Sequence, residues 1–485
     1  MTSHVQLPPT TFPQVSTARR YVVLAVCCSS VLLASLDNTI INVALPSIAR
    51  DLQASLSTLQ WTVDAYLLVL AGLLMFSGSL ADRFGRKRVF ATGLTIFTVG
   101  SAMCGLSTSE EWLVAFRVVQ AVGGSMLIPV ALAIVTKVFT DPTDRARAIG
   151  WWAATSGVGI AGGPLIGGFL VDSAGWKSIF WLNVPIGVVA VIATMVLVPE
   201  SKAAQPRRFD PVGQVLVVAF LTALIFGIIE GGRYGWTSPL VIGGLALAAA
   251  TLVAIIVYES HRTEPLLRLE LFSNFAFASS FAISVLGFFA FAGMLFANTL
   301  YLQTVRDLSP SAAGLLTLPL AAATIIAAPL SGRLLAGHGP RTPLLIAGAA
   351  LTVGAAALLP TGAGTPVYWL ILPYAVFGVG YGMLNAPIND AAVSELPDDQ
   401  VGVAAGIVST AKQVGSALGV AIIGSVLVTQ SGGSLAEGWH SAGVLAWSMI
   451  ACAGVLIVAI TLGMADTPVA DHGPVPERSA ARQRM

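Results

Sequence analysis

Charged residues are scarce in this chain of 485 residues. Asp, Glu, Lys and Arg make up 10% of it, against about 25% in an ordinary soluble domain, and so few charges cannot cover a water-soluble surface. The 25 Lys and Arg nearly balance the 24 Asp and Glu, so no basic surface for nucleic acid is predicted. With 55% hydrophobic residues, the composition favours a chain that lies mostly within a lipid bilayer.

Cysteine, histidine and nucleotide-binding motifs are also sparse. The four cysteines lie in apolar runs, without metal-ligand spacing to any of the five histidines, so we expect buried free thiols, no metal and no cofactor. No G-x-x-x-x-G-K-[ST] loop occurs, which argues against direct drive by ATP. The acidic pair Asp398-Asp399 follows Pro397 and is interpreted as a loop turn, so the sequence predicts no enzyme.

Apolar runs long enough to cross a bilayer, about 20 residues each, recur along the chain. Their polar boundaries predict fourteen transmembrane spans, numbered in chain order: 21–45, 58–78, 89–106, 111–138, 147–171, 178–198, 211–229, 238–258, 275–303, 311–335, 343–360, 367–389, 401–429 and 441–464. Residues 1–20 and 465–485 are predicted to be disordered polar tails. The predicted fold class is therefore an all-α polytopic membrane protein.

Positive charge falls unequally on the two sides of these spans. Two of the 25 Lys and Arg lie inside spans, four lie on one side of the membrane, and the remaining 19 lie on the other. The two are Arg117 and Lys412, and the four are Arg50, Lys177, Arg233 and Arg306. Because cytoplasmic loops carry the excess of positive charge, both termini are predicted to be cytoplasmic, in the cell membrane or the inner membrane of a cell with two.

The two halves of the chain carry matching glycine patterns. The loop at 78–86 matches 332–340 at an offset of 254 residues, and the glycines of span 5 match those of span 13 at 256. These matches predict a duplication, with bundles of six helices at 21–198 and 275–464 and two extra helices with their linkers at 199–274. Duplicated six-helix halves are typical of secondary transporters, whose binding site lies between the halves.

Four motifs carry a resemblance to a known family. They are the loop at 78–88 with Gly78, Asp82, Arg83, Gly85 and Arg86, span 1 around Asp37, span 4 from Arg117 to Gly124, and span 5 with Gly159, Gly163, Pro164, Gly167 and Gly168. Over nearly the whole chain they resemble the fourteen-span drug:proton antiporters of the major facilitator superfamily, although Ala121 stands where that family normally has glycine. The resemblance implies a cytoplasmic gate in the loop, proton coupling in spans 1 and 4, and exchange rather than symport.

Three ionisable residues within spans are the candidates for proton coupling. At about 1.5 Å per residue, Asp37, Asp64 and Arg117 lie at similar depth, and if they share a cavity, burial favours a protonated acid while the guanidinium favours an ionised one. We hypothesise that a conformational change alters the contact between Arg117 and an acid, and so loads and releases a proton. The structural alternatives are a carboxylate that only bonds a neighbouring helix and an arginine that snorkels to the interface.

Polar and aromatic residues of the spans are the candidate cargo contacts, although such residues more often serve ordinary helix packing. They are Asn38, Asn42, Gln120, Asn298, Tyr301, Tyr381 and Asn385. Lys412 has no acid at its predicted depth, which leaves a packed or hydrated lysine and a coupling lysine both open. The predicted function is export of hydrophobic drugs or antibiotics, cationic ones included, in exchange for protons, by a monomer in the bilayer. The alternatives are a lipid or secreted natural product as cargo, or an uncoupled facilitator.

Overall fold

A computed structural model describes residues 16–202, 210–262, 268–394, 396–431 and 434–464. Within these ranges the chain forms helices and no strand. The α-helices are α1 (Thr17–Leu52), α2 (Leu56–Phe84), α3 (Arg86–Leu106), α4 (Glu110–Val138), α5 (Pro142–Ala174), α6 (Ser178–Leu197), α7 (Pro211–Tyr234), α8 (Pro239–Ser260), α9 (Phe275–Leu300), α10 (Pro310–Leu316), α11 (Leu318–His338), α12 (Arg341–Ala356), α13 (Ile371–Gly382), α14 (Asn385–Val393), α15 (Asp398–Gln430) and α16 (Leu435–Leu462).

Thirteen helical segments in the described ranges are long and apolar enough to cross a membrane, and Arg341–Ala356 is a shorter apolar helix. Together they coincide with the fourteen predicted spans, so the predicted all-α polytopic membrane fold is confirmed. Helices α1 to α8 correspond to spans 1 to 8. Helices α9, α12, α15 and α16 correspond to spans 9, 11, 13 and 14, whereas α10 and α11 divide span 10 and α13 and α14 divide span 12.

Several helices extend beyond the apolar runs from which they were predicted. Helix α1 begins at Thr17 and ends at Leu52, so residues 17–20 are helical, while 1–15 and 465–485 of the predicted tails lie outside the described residues. Helix α5 begins at Pro142 because Asp141 accepts hydrogen bonds from the first backbone N–H groups of the helix. The acidic pair predicted as a loop turn instead forms the first turn of α15. Hydropathy alone does not show such polar end turns.

The second half contains helix breaks that the sequence analysis did not predict. Span 9 ends in a π-helical turn at Tyr301–Val305. Span 10 breaks at Thr317, just before Pro319, and span 12 breaks just before α14, which carries Pro387 in its first turn. Because proline lacks a backbone N–H, it is tolerated in the first turn of a helix and interrupts a longer one. These breaks redirect the side chains that follow them.

The cysteines differ in their surroundings. All four are free thiols, and Cys27 and Cys104 are buried as predicted. Cys28 is half-buried and Cys452 is exposed on α16, so the prediction of burial was wrong for these two. An exposed thiol on an apolar span remains compatible with a lipid surface, because free cysteine behaves as a small hydrophobic side chain.

The order of helix packing is repeated in the two halves. In the first half α1 packs on α5, α2 on α4 and α3 on α6, and in the second half α9 packs on α15, α11 on α13 and α12 on α16. These pairs correspond under the offset found in the sequence. Helix α7 packs against both α2 and α15, and α8 packs against α7. The extra helix pair therefore lies along one seam between the two bundles.

Hydrogen bonds join the two bundles at the end where α1 finishes and α2 begins, which we call the α1–α2 end. Gln60 of α2 donates to the backbone carbonyl of Ala421 of α15 at 2.8 Å. Gln303, in the π-helical turn, donates to the carbonyl of Val43 of α1 at 2.9 Å. Both amides are buried, so these bonds are shielded from water and fix the relative position of the bundles at this end.

Candidate functional site

Asp37 of α1 lies at the centre of a buried polar network inside the first bundle. Its Oδ2 accepts a hydrogen bond from Nη1 of Arg117 at 2.5 Å, and its Oδ1 accepts from Gln120 at 2.8 Å and from Asn183 at 3.1 Å. The side chains of Asp37 and Arg117 are each only 1% exposed. Because every partner donates to the carboxylate, the arrangement fits an ionised Asp37.

Arg117 is held by contacts from α1, α2 and its own helix. Its Nη1 also donates to Oε1 of Gln120 at 2.8 Å, and its Nε donates to the carbonyl of Thr62 at 3.2 Å. The guanidinium carbon lies 4.1 Å from the centre of the Tyr66 ring, within the range of a cation–π contact. Arg117 therefore does not snorkel to the interface, which removes one of the alternatives considered for it.

Asn183 of α6 belongs to the network and was not predicted from the sequence. It is fully buried, and its Nδ2 donates to Asp37 and also to Oγ of Ser101 at 3.2 Å. Ser101 in turn donates to the carbonyl of Phe180 at 2.9 Å. A usable signal was present, since Asn183 is a single amide in a strongly apolar span, and such a group needs a polar partner within the bundle.

Asp64 does not join this network. Both of its carboxylate oxygens are buried and have no hydrogen-bond partner among the described residues. Asp64 is one helical turn from Gln60, on the face of α2 that meets α15, whereas Thr62 and Tyr66 contact Arg117 on another face. The three ionisable residues predicted at similar depth are thus arranged as a pair inside the first bundle and a lone acid at the seam.

The glycines of the span 5 motif bring α5 close to α1. Gly159, Gly163 and Gly167 recur every four residues and so lie on one face of the helix. A Cβ on Gly159 would lie 2.9 Å from the Cβ of Ser35, and one on Gly167 would lie 2.6 Å from Cγ1 of Ile40. No side chain fits between the two backbones at these positions, so the motif fixes the distance between α5 and the helix that carries Asp37.

The remaining residues of the span 5 motif face α10 in the second bundle. The carbonyl of Pro164 closely approaches Gly314. Ser311 donates from its hydroxyl to the carbonyl of Gly168 at 3.2 Å and from its backbone N–H to the carboxylate of Asp172 at 2.9 Å. This motif therefore packs within one bundle and also joins the two bundles at the α1–α2 end.

The loop motif between α2 and α3 makes its contacts within the first bundle. Asp82 pairs with Arg86 at 3.0 Å, and Arg86 also donates to the carbonyl of Ala133 of α4 at 3.3 Å. The backbone N–H of Lys87 donates to the carboxylate of Glu200, just after α6, at 3.1 Å. Of the other three motif residues, Arg83 is exposed, a Cβ on Gly78 would meet open space, and Gly85 lies buried at the turn between α2 and α3. The described contacts thus tie this loop to α4 and to the end of α6.

We expect Gly85→Ala to destabilise the folded protein by about 1–3 kcal/mol. Gly85 has a φ of +109°, and a Cβ there would lie 2.5 Å from a carboxylate oxygen of Glu200. Thermal unfolding in detergent measures the effect. Gly175→Ala is the control, because Gly175 has a φ of +77° but no atom within 4 Å of the added carbon. Equal shifts in the two variants would show that the Glu200 contact contributes nothing.

Two small cavities lie along the seam between the bundles. Asn42 of α1 and Asn298 of α9 line the first, and Pro164 of α5 and Phe291 of α9 line the second. Each offers about 10 Å³ to the centre of a water molecule, which is room for about one water. The seam is therefore nearly closed at this depth, and a drug-sized cargo needs the bundles to separate.

Four of the predicted cargo residues are asparagines of α1, α9 and α14, and two of them, Asn42 and Asn298, line the first cavity. The side-chain oxygens of Asn38 and Asn42 are buried without a hydrogen-bond partner in the described part of the chain. Asn298 accepts a hydrogen bond from the hydroxyl of Tyr374. Asn385 accepts one from Lys412 at 3.0 Å. Unsatisfied amide oxygens beside a cavity are available for a polar group of a ligand.

The other three predicted cargo residues have different positions. Tyr381 stacks on Phe291, which lines the second cavity, with ring centres 3.7 Å apart. Gln120 belongs to the Asp37 network. Tyr301 lies towards the α1–α2 end, where its hydroxyl donates to the carbonyl of Gly362 at 3.0 Å and its ring stacks on Trp439. The structure therefore does not bring Tyr301 to either cavity.

Two helical bundles with the same internal packing, a buried ion pair in one of them and cavities along their seam are typical of a secondary transporter. The sequence model of the Major Facilitator Superfamily matches residues 27–420. The chain belongs to this superfamily.

Curated relatives and solved structures extend this assignment. The chain is 37% identical to the multidrug resistance protein Stp of Mycobacterium tuberculosis over 81% of its length and 73% of that protein. It is 36% identical to the tetracenomycin C resistance and export protein of Streptomyces glaucescens over 87% of its length and 79% of that protein. A bacterial homologue of the human lysosomal transporter Spinster superposes with a TM-score of 0.65 at 17% identity, over 92% of this chain and 97% of the other, which shows the shared fold.

Proposed function

We propose that this chain is a proton-coupled antiporter that exports hydrophobic drugs or antibiotics across the cell membrane by alternating access. The cargo class is supported by the names of its relatives, a multidrug resistance protein and a tetracenomycin C resistance and export protein. The coupling is supported above all by the ion pair of Arg117 and Asp37, which are 2.5 Å apart and each 1% exposed. Burial of an ion pair this deep in a span costs desolvation free energy, which makes such a pair a candidate for a functional role.

Within the ion pair, Asp37 exchanges a proton only after its contact with Arg117 breaks. In the present conformation Asp37 accepts hydrogen bonds from Arg117, Gln120 and Asn183. None of these bonds requires a proton on Asp37, because each partner supplies the hydrogen. Separation of Arg117 from Asp37 would leave a carboxylate in a low-dielectric site without its cation, which favours uptake of a proton. Because the two residues lie on α1 and α4, a small movement of α1 within the bundle is enough to break the contact.

Asp64 provides a second proton site, at the seam. Its carboxylate is buried with no donor among the described residues, and burial of an acid without a partner costs least when the acid is neutral. Separation of α2 from α15 exposes the face of α2 that carries Asp64. Proton release at the seam is thereby linked to the movement of the bundles.

The orientation proposed from the positive charges places the α1–α2 end on the outer side of the membrane. The bonds from Gln60 to Ala421 and from Gln303 to Val43 then close the outer side. The loop with Asp82 and Arg86 lies on the cytoplasmic side. Its described contacts stay within the first bundle, as expected for a cytoplasmic gate that is released while the outer side is closed.

The experiment that tests this function uses purified protein in proteoliposomes. The cargo is chosen from the susceptibility profile of a strain that lacks its own efflux pumps, with and without this chain. We expect an imposed pH gradient to drive cargo transport and a trapped pH-sensitive dye to report proton movement in the opposite direction. An uncoupler should then reduce the accumulation ratio of the cargo about tenfold or more, since a pH difference of one unit across the membrane supplies about 1.4 kcal/mol per exchanged proton.

Two outcomes favour the alternatives. Transport that is indifferent to the pH gradient and to the uncoupler would identify a facilitator. If the chain gives resistance to no drug in the susceptibility profile and instead transports a lipid or a secreted natural product, the cargo class changes. The coupling mechanism would remain in place.

A further inference from the structure

Lys412 of α15 is a positive charge within a span that has no acidic partner. Its Nζ donates to Oδ1 of Asn385 and to Oδ1 of Asn389, each at 3.0 Å. No carboxylate oxygen lies within 4 Å of this nitrogen among the side chains that the structure describes. Two amide oxygens are dipoles and do not balance a full charge, and an ammonium group has three N–H donors, so one donor is left for another ligand.

An aromatic surface connects Lys412 with the seam between the bundles. The Nζ of Lys412 lies 5.7 Å from the centre of the Phe288 ring. Phe288 contacts Tyr381 edge to face at 5.6 Å, and Tyr381 stacks on Phe291 at 3.7 Å. Phe291 lines the second cavity together with Pro164 of the first bundle. We call Phe288, Phe291, Tyr381, Asn385 and Lys412 the lysine–aromatic wall.

Two acids of neighbouring helices form no ion pair with Lys412. Asp390 follows Asn389 on α14, yet it forms no ion pair with Lys412 in the described structure. Asp64 lies on the α2 side of the seam and has no hydrogen-bond partner there. Lys412 itself is half-buried, and Asn389, one of the two amides that hold it, is exposed, so a ligand can approach this end of the wall.

We propose that the lysine–aromatic wall is a cargo subsite that selects flat aromatic compounds with an acidic oxygen, a carboxylate or a phenolate, over cationic ones. The free N–H of Lys412 donates to the anionic oxygen in a charge-assisted hydrogen bond, and the half-buried ring of Phe288, supported from behind by Tyr381, stacks against the ring of the ligand. A cation at the same place meets an uncompensated ammonium group. This inference rests on the proposed export function and narrows its cargo class, since the sequence alone had included cationic drugs.

The test compares two dyes that share the xanthene ring and differ in charge. Fluorescein is anionic at neutral pH, and tetramethylrhodamine methyl ester is cationic. Binding to the full chain in lipid nanodiscs is measured by fluorescence anisotropy without a proton gradient. We expect the wild type to bind fluorescein about tenfold more tightly than the cationic dye, because close like charges are strongly disfavoured.

Two variants remove the free charge by different routes. Lys412→Gln removes the ammonium group, and Asn385→Asp supplies a carboxylate of the same shape where the lysine already donates. Both should abolish the preference for fluorescein, whereas Lys412→Arg should keep it. Lys177→Gln is the matched control, because Lys177 is a lysine in the loop after α5, beside Trp176, and its loss should leave both affinities unchanged.

The proposal is overturned if the wild type binds the cationic dye as tightly as fluorescein, if it binds neither dye, or if both Lys412→Gln and Asn385→Asp keep the preference. Asn385→Asp decides the question if Lys412→Gln does not fold, since it keeps the lysine in place and pairs its charge. Failure of proton coupling gives a different result: a facilitator would show the same preference in this binding measurement and only lose its response to the pH gradient.

Discussion

Asp37→Asn is expected to abolish proton-driven export, with a loss of about 100-fold or more in rate, the usual scale when a proton-transfer group is removed. Asparagine has nearly the shape of aspartate and leaves the neighbouring helices in place. It cannot ionise, so it neither pairs with Arg117, now 2.5 Å away, nor carries a proton when the bundles move. Cargo binding should persist, because the two seam cavities are lined by other residues.

The measurement is cargo uptake into inverted membrane vesicles under an imposed pH gradient, at matched expression. Asp144→Asn is the control: Asp144 lies in the first turn of α5, its side chain is 46% exposed, and it lies 3.8 Å from Arg147, a surface pair of little energetic consequence. We expect the control to transport like the wild type. Export at the wild-type rate by Asp37→Asn would show that the ion pair serves the fold and not the coupling.

Loss of Asp37 also leaves Arg117 buried without its counter-charge, which costs about 3–5 kcal/mol. The double variant Asp37→Asn with Arg117→Gln removes this penalty. We expect the double variant to unfold at a higher temperature than the single variant. Like the single variant, it should show no transport in response to the pH gradient. Recovery of proton-driven export in the double variant would contradict the proposed role of Asp37.

The polar network shows how far sequence reasoning reaches. Asp37 and Arg117 could be predicted because a charge in an apolar span requires a partner, and depth along a helix follows from residue number. Asn183 is 146 positions from Asp37 in the chain, and the two meet only because α1, α3, α4 and α6 pack around one point. No local pattern specifies that meeting.

Depth along a helix does not determine the direction in which a side chain points. Asp64 was predicted at the height of Arg117, yet Thr62 and Tyr66 occupy the face of α2 that contacts Arg117. Residues two positions apart on a helix lie about 200° apart around its axis, so Asp64 could not share that face. Which face meets α4 and which meets α15 depends on tertiary packing. Tyr301 lies away from both cavities because it stands at the end of α9, where the π-helical turn begins.

The fold itself was largely predictable because hydropathy and glycine spacing act over whole spans. The span 5 motif illustrates this: glycines four residues apart are a general signal of close helix contact, and α5 does approach α1 at Gly159, Gly163 and Gly167. The sequence could not name the partner helix. It also could not show that Pro164 and Gly168 of the same motif contact α10 of the second bundle.

Gly163→Ala is expected to destabilise the protein by about 1–3 kcal/mol, the usual cost of inserting a methyl group into a close-packed contact. The added Cβ would lie 2.9 Å from the Cβ of Thr39 and 3.0 Å from the backbone nitrogen of Ile40. The backbone nitrogen cannot move aside alone, so α1 has to shift as a unit. Asp37 is two residues from Thr39 on α1 and so points away from α5. A shift of α1 away from α5 therefore displaces Asp37 relative to Arg117, now 2.5 Å away, and should also reduce proton-driven export.

Thermal unfolding in detergent and vesicle transport measure the two effects of Gly163→Ala together. Gly157→Ala is a matched control on the same helix, since no atom lies within 4 Å of the added carbon, and alanine favours a helix over glycine by about 1 kcal/mol. The control should therefore unfold at the same or a higher temperature than the wild type and transport normally. If both variants unfold and transport alike, α1 and α5 tolerate a wider separation than the close approach at Gly163 implies, and that contact does not set the position of Asp37.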